Sequence, residues 1–401
     1  MDGARTHGQA AALGAVAAMV RGPAPQAVLL VGPQGVGKTT LALDLAAGLL
    51  CTAALADRPC RACRACRLVE HGSHPDLHRL GPAGPGRQVV IGGPDAKYRG
   101  VRDLVTDLVL MPVEGGARVA IIEAADRMNE DAQSALLKTL EEPPAGVTIV
   151  LCADQEAHLL PTVRSRCFRV RLGLVGTRDI EAIVADHGLA DPPMAARLGR
   201  LAGGRPGIAL AYARAPDAVL IRAELTRVLL DLTDAGPAAR LAAARAAVPR
   251  AIALSAALLT SDPASVPGRT IRRRGGPLPI PVAATVDEPP DEDPSADADG
   301  AAGAPTRSPA AERRRGVEVL LGLWTEVARD LVLIVAGGVR SVHDTVLLEE
   351  LVAIAAVIDP AAAVAFLGRS ARSAEWLATN VSPELILDAL VLAWPRRSAA
   401  A

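Results

Sequence analysis

The sequence predicts an α/β domain with a parallel sheet over residues 1–172, followed by an all-helical remainder. Three observations predict it. Short β-prone apolar runs alternate with helical segments as far as about residue 174, an order that covers a parallel sheet on both faces. After that point the strand-like runs stop. The first β-run also leads through Gly32-Pro33-Gln34-Gly35-Val36-Gly37-Lys38-Thr39 into a helix, the strand, glycine loop, helix order of a phosphate-binding loop.

The elements follow in order. Residues 9–21 read as a small apolar helix, and Ala27–Val31 as a short strand. The glycine loop comes next, then an Ala/Leu helix to about Leu50. Residues 51–67 hold four cysteines, and 81–96 are rich in Gly and Pro, hence loop. Residues 100–110 have the pattern of an amphipathic helix. Arg118–Glu123 is an apolar run read as a buried strand. Residues 130–142 form a helix stopped by Pro143-Pro144, and Val147–Cys152 is a further strand.

Residues 173–215 contain short helices broken at Pro192-Pro193 and Gly203-Gly204, a small helical lid domain. The rest, 216–401, reads as a helical domain with helices over 218–260 and 316–394. Residues 262–315 interrupt it, with many Pro, Gly, Ala and Asp and separate basic and acidic blocks. That composition buries too little apolar surface to offset its ordering entropy, so the segment is expected to be disordered.

Composition narrows the function. The 401 residues are 50% hydrophobic, enough for the cores of two or three domains, but only 2% aromatic, which argues against a protein that stacks bases on rings. The formal net charge of −1 excludes a broadly basic nucleic-acid binder. Lys38, Lys97 and Lys138 are the only lysines among 43 basic residues, so a lysine in the glycine loop carries weight that one more arginine would not. No charged stretch followed by an apolar run stands at the start of the sequence, so a secretory leader is not expected, and no uncharged apolar run reads as long enough to span a bilayer. The nearest, 317–336, is interrupted by Glu318, Glu326, Arg329 and Asp330. A cytoplasmic protein is expected, whose cysteines serve as metal ligands or buried thiols rather than disulfides.

The glycine loop satisfies G-x-x-x-x-G-K-[ST]. Gly32, Gly35 and Gly37 let backbone N–H groups turn toward a phosphate at the positive end of the helix. Lys38 is expected to reach the β- and γ-phosphates, and Thr39, with Thr40 beside it, to serve Mg²⁺ and the nucleotide. Hydrolysis needs more: a carboxylate for the metal at the end of a second strand, and a base for water. Val119-Ala120-Ile121-Ile122-Glu123-Ala124-Ala125-Asp126 puts Glu123 at the metal position and Ala124 where the base belongs. A methyl group cannot accept a proton, and Asp126 substitutes only if the backbone bends. ATP or ADP binding with little turnover is the expectation.

Cys51, Cys60, Cys63 and Cys66 have the spacing C-x8-C-x2-C-x2-C. Two C-x2-C steps bring thiolates together, and the cysteine at the preceding helix end closes a tetrahedral set, a structural Zn²⁺ site with no open position. Arg58, Arg61, Arg64 and Arg67 are interleaved at spacing suited to offset its charge. Cys152 and Cys167 are expected to be buried thiols.

Asp126-Arg127-Met128-Asn129 through Ala135-Leu136-Leu137-Lys138-Thr139-Leu140-Glu141-Glu142-Pro143-Pro144, followed by Ser165-Arg166-Cys167, resembles the AAA+ clamp-loader subunits of bacterial DNA polymerase III, the gamma/tau and delta-prime types. The cysteine ribbon after the P-loop helix is shared by both. The resemblance covers 1–172 closely, 173–215 loosely, and the rest in architecture only. It implies a RecA-like AAA+ domain, a lid and a C-terminal collar domain. It also implies a five-subunit ring with delta and gamma/tau that loads the sliding clamp on primer-template DNA within a DNA-directed DNA polymerase holoenzyme. Ala124 favours the delta-prime type, which has degraded catalytic residues and offers the arginine of Ser-Arg-Cys, here Arg166, to a neighbour's ATP. The intact glycine loop departs from many delta-prime chains. Arg205, near the place of a sensing arginine in motor subunits, is displaced by one position. A gamma-type motor ATPase, another P-loop class, and a collar protein using neither ATP nor zinc are the competing readings.

Overall fold

A computed structural model describes residues 1, 3–83, 88–94, 96–114, 116–260, 309–377 and 381–398. Helix α1 (Ala10–Arg21) precedes strand β1 (Ala27–Val31), and the glycine loop then enters α2 (Lys38–Leu50). Helix α3 (Arg64–Glu70), strand β2 (Leu77–Leu80), helix α4 (Val101–Val109), strand β3 (Arg118–Ile122) and helix α5 (Glu130–Glu141) follow. Strand β4 (Val147–Ala153), the short helix α6 (Pro161–Ser165) and strand β5 (Phe168–Arg171) complete the domain.

The strands form one five-stranded sheet in the order β2-β3-β4-β1-β5, parallel throughout. The parallel sheet expected from the sequence is present, with two strands more than the apolar runs revealed. Both additions lie at its edges. Strand β2 buries only its terminal leucines and β5 only Val170, because an edge strand has one covered flank and needs no continuous apolar run. The central strands β3 and β4 are buried along their whole length.

Alternation sends successive strand residues to opposite faces. Val28, Leu30, Val119, Ile121 and Val150 pack under α1 and α2. Leu29, Ala120, Ile122, Ile149 and Leu151 pack against α4 and α5 through Leu104, Leu108, Leu136 and Leu140. Each helix thus supplies one apolar stripe to a shared core.

The remainder is helical: α7 (Thr177–Asp186), α8 (Pro192–Leu201), α9 (Pro206–Arg214), α10 (Pro216–Asp231), α11 (Pro237–Thr260), α12 (Pro309–Val335), α13 (Leu348–Ala355), α14 (Pro360–Leu377) and α15 (Pro383–Leu392). Leu198, Leu201 and Tyr212 of the expected lid belong to the same buried cluster as Leu229, Trp324 and Trp394. Ala215 both ends α9 and caps α10, so no linker separates the two parts. Phe366 and Trp394 meet edge to face at 4.9 Å in this core.

Two expectations change. Residues 309–315, read as the end of a disordered segment, open α12 instead. Pro309 stands in its first turn and Ala310, Ala311, Glu312 and the arginines after them are good helix formers; the rest of that segment, 262–308, lies outside the described residues. The helix Pro237–Leu258 is also long and apolar enough, by length and composition, to cross a membrane. Here Ala244, Ala247, Ala251 and Leu254 face the helical core instead. Arg240 is fully buried on this helix and donates to the carbonyls of Trp394, Ala235 and Pro395 at 2.6, 3.0 and 3.2 Å.

Candidate nucleotide site and metal centre

The glycine loop, Glu123 and Asp154 follow the C-terminal ends of the neighbouring strands β1, β3 and β4, the edge at which open α/β sheets bind ligands. A depression of about 300 Å³ lies at the other edge, lined by Gln26, Ala117 and Gly146 among others, and contains none of these residues.

The loop has the shape its glycines were expected to give it. Gly35 and Gly37 have φ of +82° and +103°, the left-handed region that glycine enters without strain, and open space surrounds Gly37. A side chain on Gly32 would meet the Leu172 carbonyl oxygen at 2.4 Å. Thr39 and Thr40 stand half-buried in the first turn of α2. These features fit a bound phosphate: an open cradle at the N-terminus of a thirteen-residue helix. The lid reaches the cradle directly, since the Gly207 N–H at the start of α9 donates to the Gly35 carbonyl at 2.8 Å.

Lys38 is 9% exposed, and its ammonium donates to Gly32 O at 2.7 Å, Pro33 O at 3.0 Å and Asp154 Oδ1 at 2.5 Å. Asp154 was not picked out in the sequence. The signal is a carboxylate directly after a strand whose only polar residue is Thr148.

Glu123 is not free for a metal. Arg79, from the adjacent edge strand β2, donates to Oε1 from Nε at 2.9 Å and from Nη2 at 2.5 Å. Ala124 takes φ +50°, ψ +51°, a left-handed turn that costs a non-glycine residue about 1–2 kcal/mol. That turn is the bend Asp126 required, but Asp126 Oδ2 accepts the Gln155 N–H at 3.3 Å. Arg205 lies close to the loop, its Cβ 3.5 Å from where a Gly35 Cβ would sit, while its guanidinium pairs with Glu326 of α12 at 2.5 Å.

Arg166 caps the C-terminus of α6 beside the edge strand β5. It donates to Thr162 O at 2.9 Å and pairs with Glu141 of α5 at 2.5 Å. The buried amide of Gln133 fixes this turn, donating to Met128 O and His158 O and accepting from Leu160 N–H. Cys152 is buried, and burial pushes its thiol up to about 12. Cys167, expected to be buried, is only partly so, and burial still raises it to about 11.

The four sulfurs of Cys51, Cys60, Cys63 and Cys66 lie within 4.8 Å of one another, with Cys51 Sγ 3.5 Å from Cys60 Sγ and 3.9 Å from Cys63 Sγ. Tetrahedral zinc with Zn–S bonds of about 2.3 Å sets its sulfurs about 3.8 Å apart, so the donor set fits that ion. The Cys60 sulfur accepts the Cys63 N–H, and the backbone N–H groups of Cys63 and Ala62 hold its pKa below the ordinary thiol value. Cys63 comes down to about 6 despite its burial, through hydrogen bonds from Thr52 and Cys66, while burial raises Cys66 to about 12. Three of the interleaved arginines serve elsewhere than expected. Arg58 donates to Ala53 O at 2.8 Å, Arg64 pairs with Glu114, and Arg61 pairs with Asp44 and donates to Gly3 O at 2.6 Å. Arg61 and Arg64 tie the ribbon to its surroundings, and Arg58 braces it from within.

The family described as DNA polymerase III, delta subunit, matches residues 14–175. A DNA polymerase III subunit delta' of Pseudomonas aeruginosa is 38% identical over 182 residues, 45% of this chain and 53% of that protein. The subunit delta' of Haemophilus influenzae is 38% identical over 141 residues, 35% of this chain and 40% of that protein. The subunit tau of Salmonella typhimurium is 33% identical over 176 residues, 43% of this chain and 26% of that protein. The matched part is thus about half or less of each relative's length. A solved gamma subunit-related protein of Thermotoga maritima overlays 95% of this chain and 97% of its own at 15% identity and a TM-score of 0.38.

Proposed function

We propose, from the premise that the N-terminal domain makes this chain a relative of the delta-prime, gamma and tau subunits of DNA polymerase III, that it works as a delta-prime-type subunit of a clamp loader. In this reading it joins delta and gamma/tau subunits in a five-membered ring. The ring loads the sliding clamp onto primer-template DNA in the cytoplasm, as part of a polymerase holoenzyme. The chain contributes a scaffold and an arginine rather than a catalytic engine.

The observation that carries this reading is Ala124 at the turn after β3, where a hydrolase needs a carboxylate. Nothing there activates water, and Glu123 beside it is already neutralised by Arg79. Bound Mg²⁺ and nucleotide would be held by the glycine loop, Lys38 and Thr39. When bound, the metal supplies charge stabilisation at the phosphates. The cysteine cluster would hold one structural Zn²⁺, which pins the ribbon to the end of α2 through Cys51. The exposure of Arg166 beside an edge strand supports a role toward a neighbouring molecule. A permanently charged planar fork suits a γ-phosphate held by that neighbour.

A gamma-type motor is the second reading, favoured by the intact glycine loop. Intrinsic ATPase of the isolated chain separates the two, and reconstitution with delta, gamma/tau, clamp and primed DNA tests the first. A loader that works equally well without this chain, or an isolated chain with ordinary ATPase rates, overturns the delta-prime reading.

A further inference from the structure

We propose that Asp154 makes the glycine loop a nucleoside-diphosphate site that disfavours a third phosphate. The inference rests on the reading that this loop takes a nucleotide and specifies which one. A lysine ammonium has three protons to donate, and all three are engaged: two with carbonyls of the loop itself and one with Asp154 at 2.5 Å. The carbonyl contacts are neutral; the Asp154 contact sets a full negative charge at the point where Lys38 faces the end of a phosphate chain. Asp154 is anchored directly after β4, hydrogen-bonded along its whole length to β1 and β3.

The other groups that could receive a third phosphate are occupied as well. Arg205, over Gly35, is paired with Glu326 at 2.5 Å. Glu123, which would hold a metal against the phosphates, is paired with Arg79 at 2.5 Å. Three separate ion pairs therefore take up the charged side chains around the cradle. Its backbone end is different: Gly35 and Gly37 keep their φ > 0 shape and the N-terminus of α2 stays open to a phosphate.

A diphosphate can use the backbone end, draw on the two Lys38 protons now given to the loop carbonyls, and leave the Lys38–Asp154 pair in place. A triphosphate has to bring its terminal charge beside the Asp154 carboxylate or break the pair. Like charges at contact distance in a partly screened site cost enough to change affinity tenfold or more. Asp154 is 35% exposed, so solvent weakens this repulsion without removing it.

The test is competition against a fluorescent ADP analogue on the full chain, with Mg²⁺-ADP and the non-hydrolysable Mg²⁺-adenylyl imidodiphosphate as competitors. Wild type is expected to prefer ADP at least tenfold. Asp154→Asn, which keeps the shape and a hydrogen bond to Lys38, is expected to bind the triphosphate analogue at least tenfold more tightly while ADP affinity moves less than threefold. Equal wild-type affinities, or equal shifts for both ligands in the variant, overturn the inference and leave the nucleotide reading standing. Binding of neither ligand by wild type and by Asp154→Asn sinks that reading and the inference with it. Matching melting curves for the two proteins show that the comparison is between folded chains.

Discussion

The carboxylate of Glu123 and the guanidinium of Arg79 form a two-pronged ion pair between the ends of adjacent parallel strands, with N···O distances of 2.9 and 2.5 Å. The residue at the metal position is thus held sideways along the sheet, and the following residue is an alanine. The isolated chain is expected to hydrolyse ATP at least a hundredfold more slowly than the ~10 s⁻¹ typical of enzymes. Ala124→Glu alone should raise this little, because Glu123 remains engaged. Ala124→Glu with Arg79→Ala should raise it further than either change alone. Steady-state phosphate release is the measurement. A single Ala124→Glu substitution that restores ordinary turnover would show that Arg79 does not matter.

Metal content is the second expectation. Purified chain should carry one Zn²⁺, whose binding contributes folding energy on the order of 10 kcal/mol by analogy with zinc peptides. Cys63→Ser removes a ligand, while the serine hydroxyl can still accept the Cys66 N–H as N-cap of α3. Zinc content should fall and amide exchange should speed up across 51–70. Strand β1 should stay protected, because its bonds go to β4 and β5. Elemental analysis of metal-free, fully protected protein would end the assignment.

The glycine loop, the cysteine spacing and the central strands were legible because each is local: a motif or an apolar run within a few residues. Edge strands β2 and β5 were not, since one open flank removes the apolar run by which a buried strand is recognised. The charges that decide the site were also hidden. Lys38 and Asp154 stand 116 positions apart, Arg79 and Glu123 44, Arg205 and Glu326 121. Arg79 and Glu326 look, in sequence, like ordinary surface charges, and only the sheet order and the packing of α12 against the lid bring each pair together. The arginines among the cysteines misled for the same reason. Their spacing suggested the sulfurs, whereas Arg61 turns to buried Asp44, which also accepts the Thr6 N–H at 2.9 Å.

Glu326 sets a pH dependence. Burial pushes its carboxyl up, but Arg222 and Arg205 outweigh that and hold it below the ordinary value of 4.5. A carboxylate with a lowered folded pKa contributes stability that is fully present above its unfolded pKa. That contribution is lost as pH falls through the folded value. The helical part should therefore resist melting equally at pH 6 and 7 and weaken below about pH 4.5. Glu326→Gln leaves the buried Arg222 without its carboxylate, at about 3 kcal/mol, which corresponds to a melting point about 6–12 °C lower at neutral pH. The loss should shrink in acid, where wild type has lost the same charge. A melting difference that stays constant from pH 7 to pH 3.5 would mean the pair contributes packing only.

The last expectation concerns Arg166 acting on a neighbouring subunit. The guanidinium lies on the outer turn of α6, held by Glu141 and the Thr162 carbonyl, and the turn itself is set by buried Gln133. The Glu141 pair is solvent-exposed, worth at most about 1 kcal/mol, so a neighbour's triphosphate can draw the arginine away from it. Arginine fingers in other nucleotide hydrolases contribute about 10³–10⁵ in rate, and a ring with several active sites dilutes the loss of one. Arg166→Ala should lower DNA-stimulated ATP hydrolysis and clamp loading by the reconstituted ring severalfold or more, with nucleotide binding to this chain unchanged. Arg164 is half-buried and makes a poor control. Arg171 is the better match, being 71% exposed on the same edge and paired with Glu156 at 2.7 Å. Glu141→Gln frees the arginine and should leave loading within about fivefold of wild type. If Arg166→Ala and Arg171→Ala behave alike in the complete loader, Arg166 is an ordinary surface charge and the trans role is wrong.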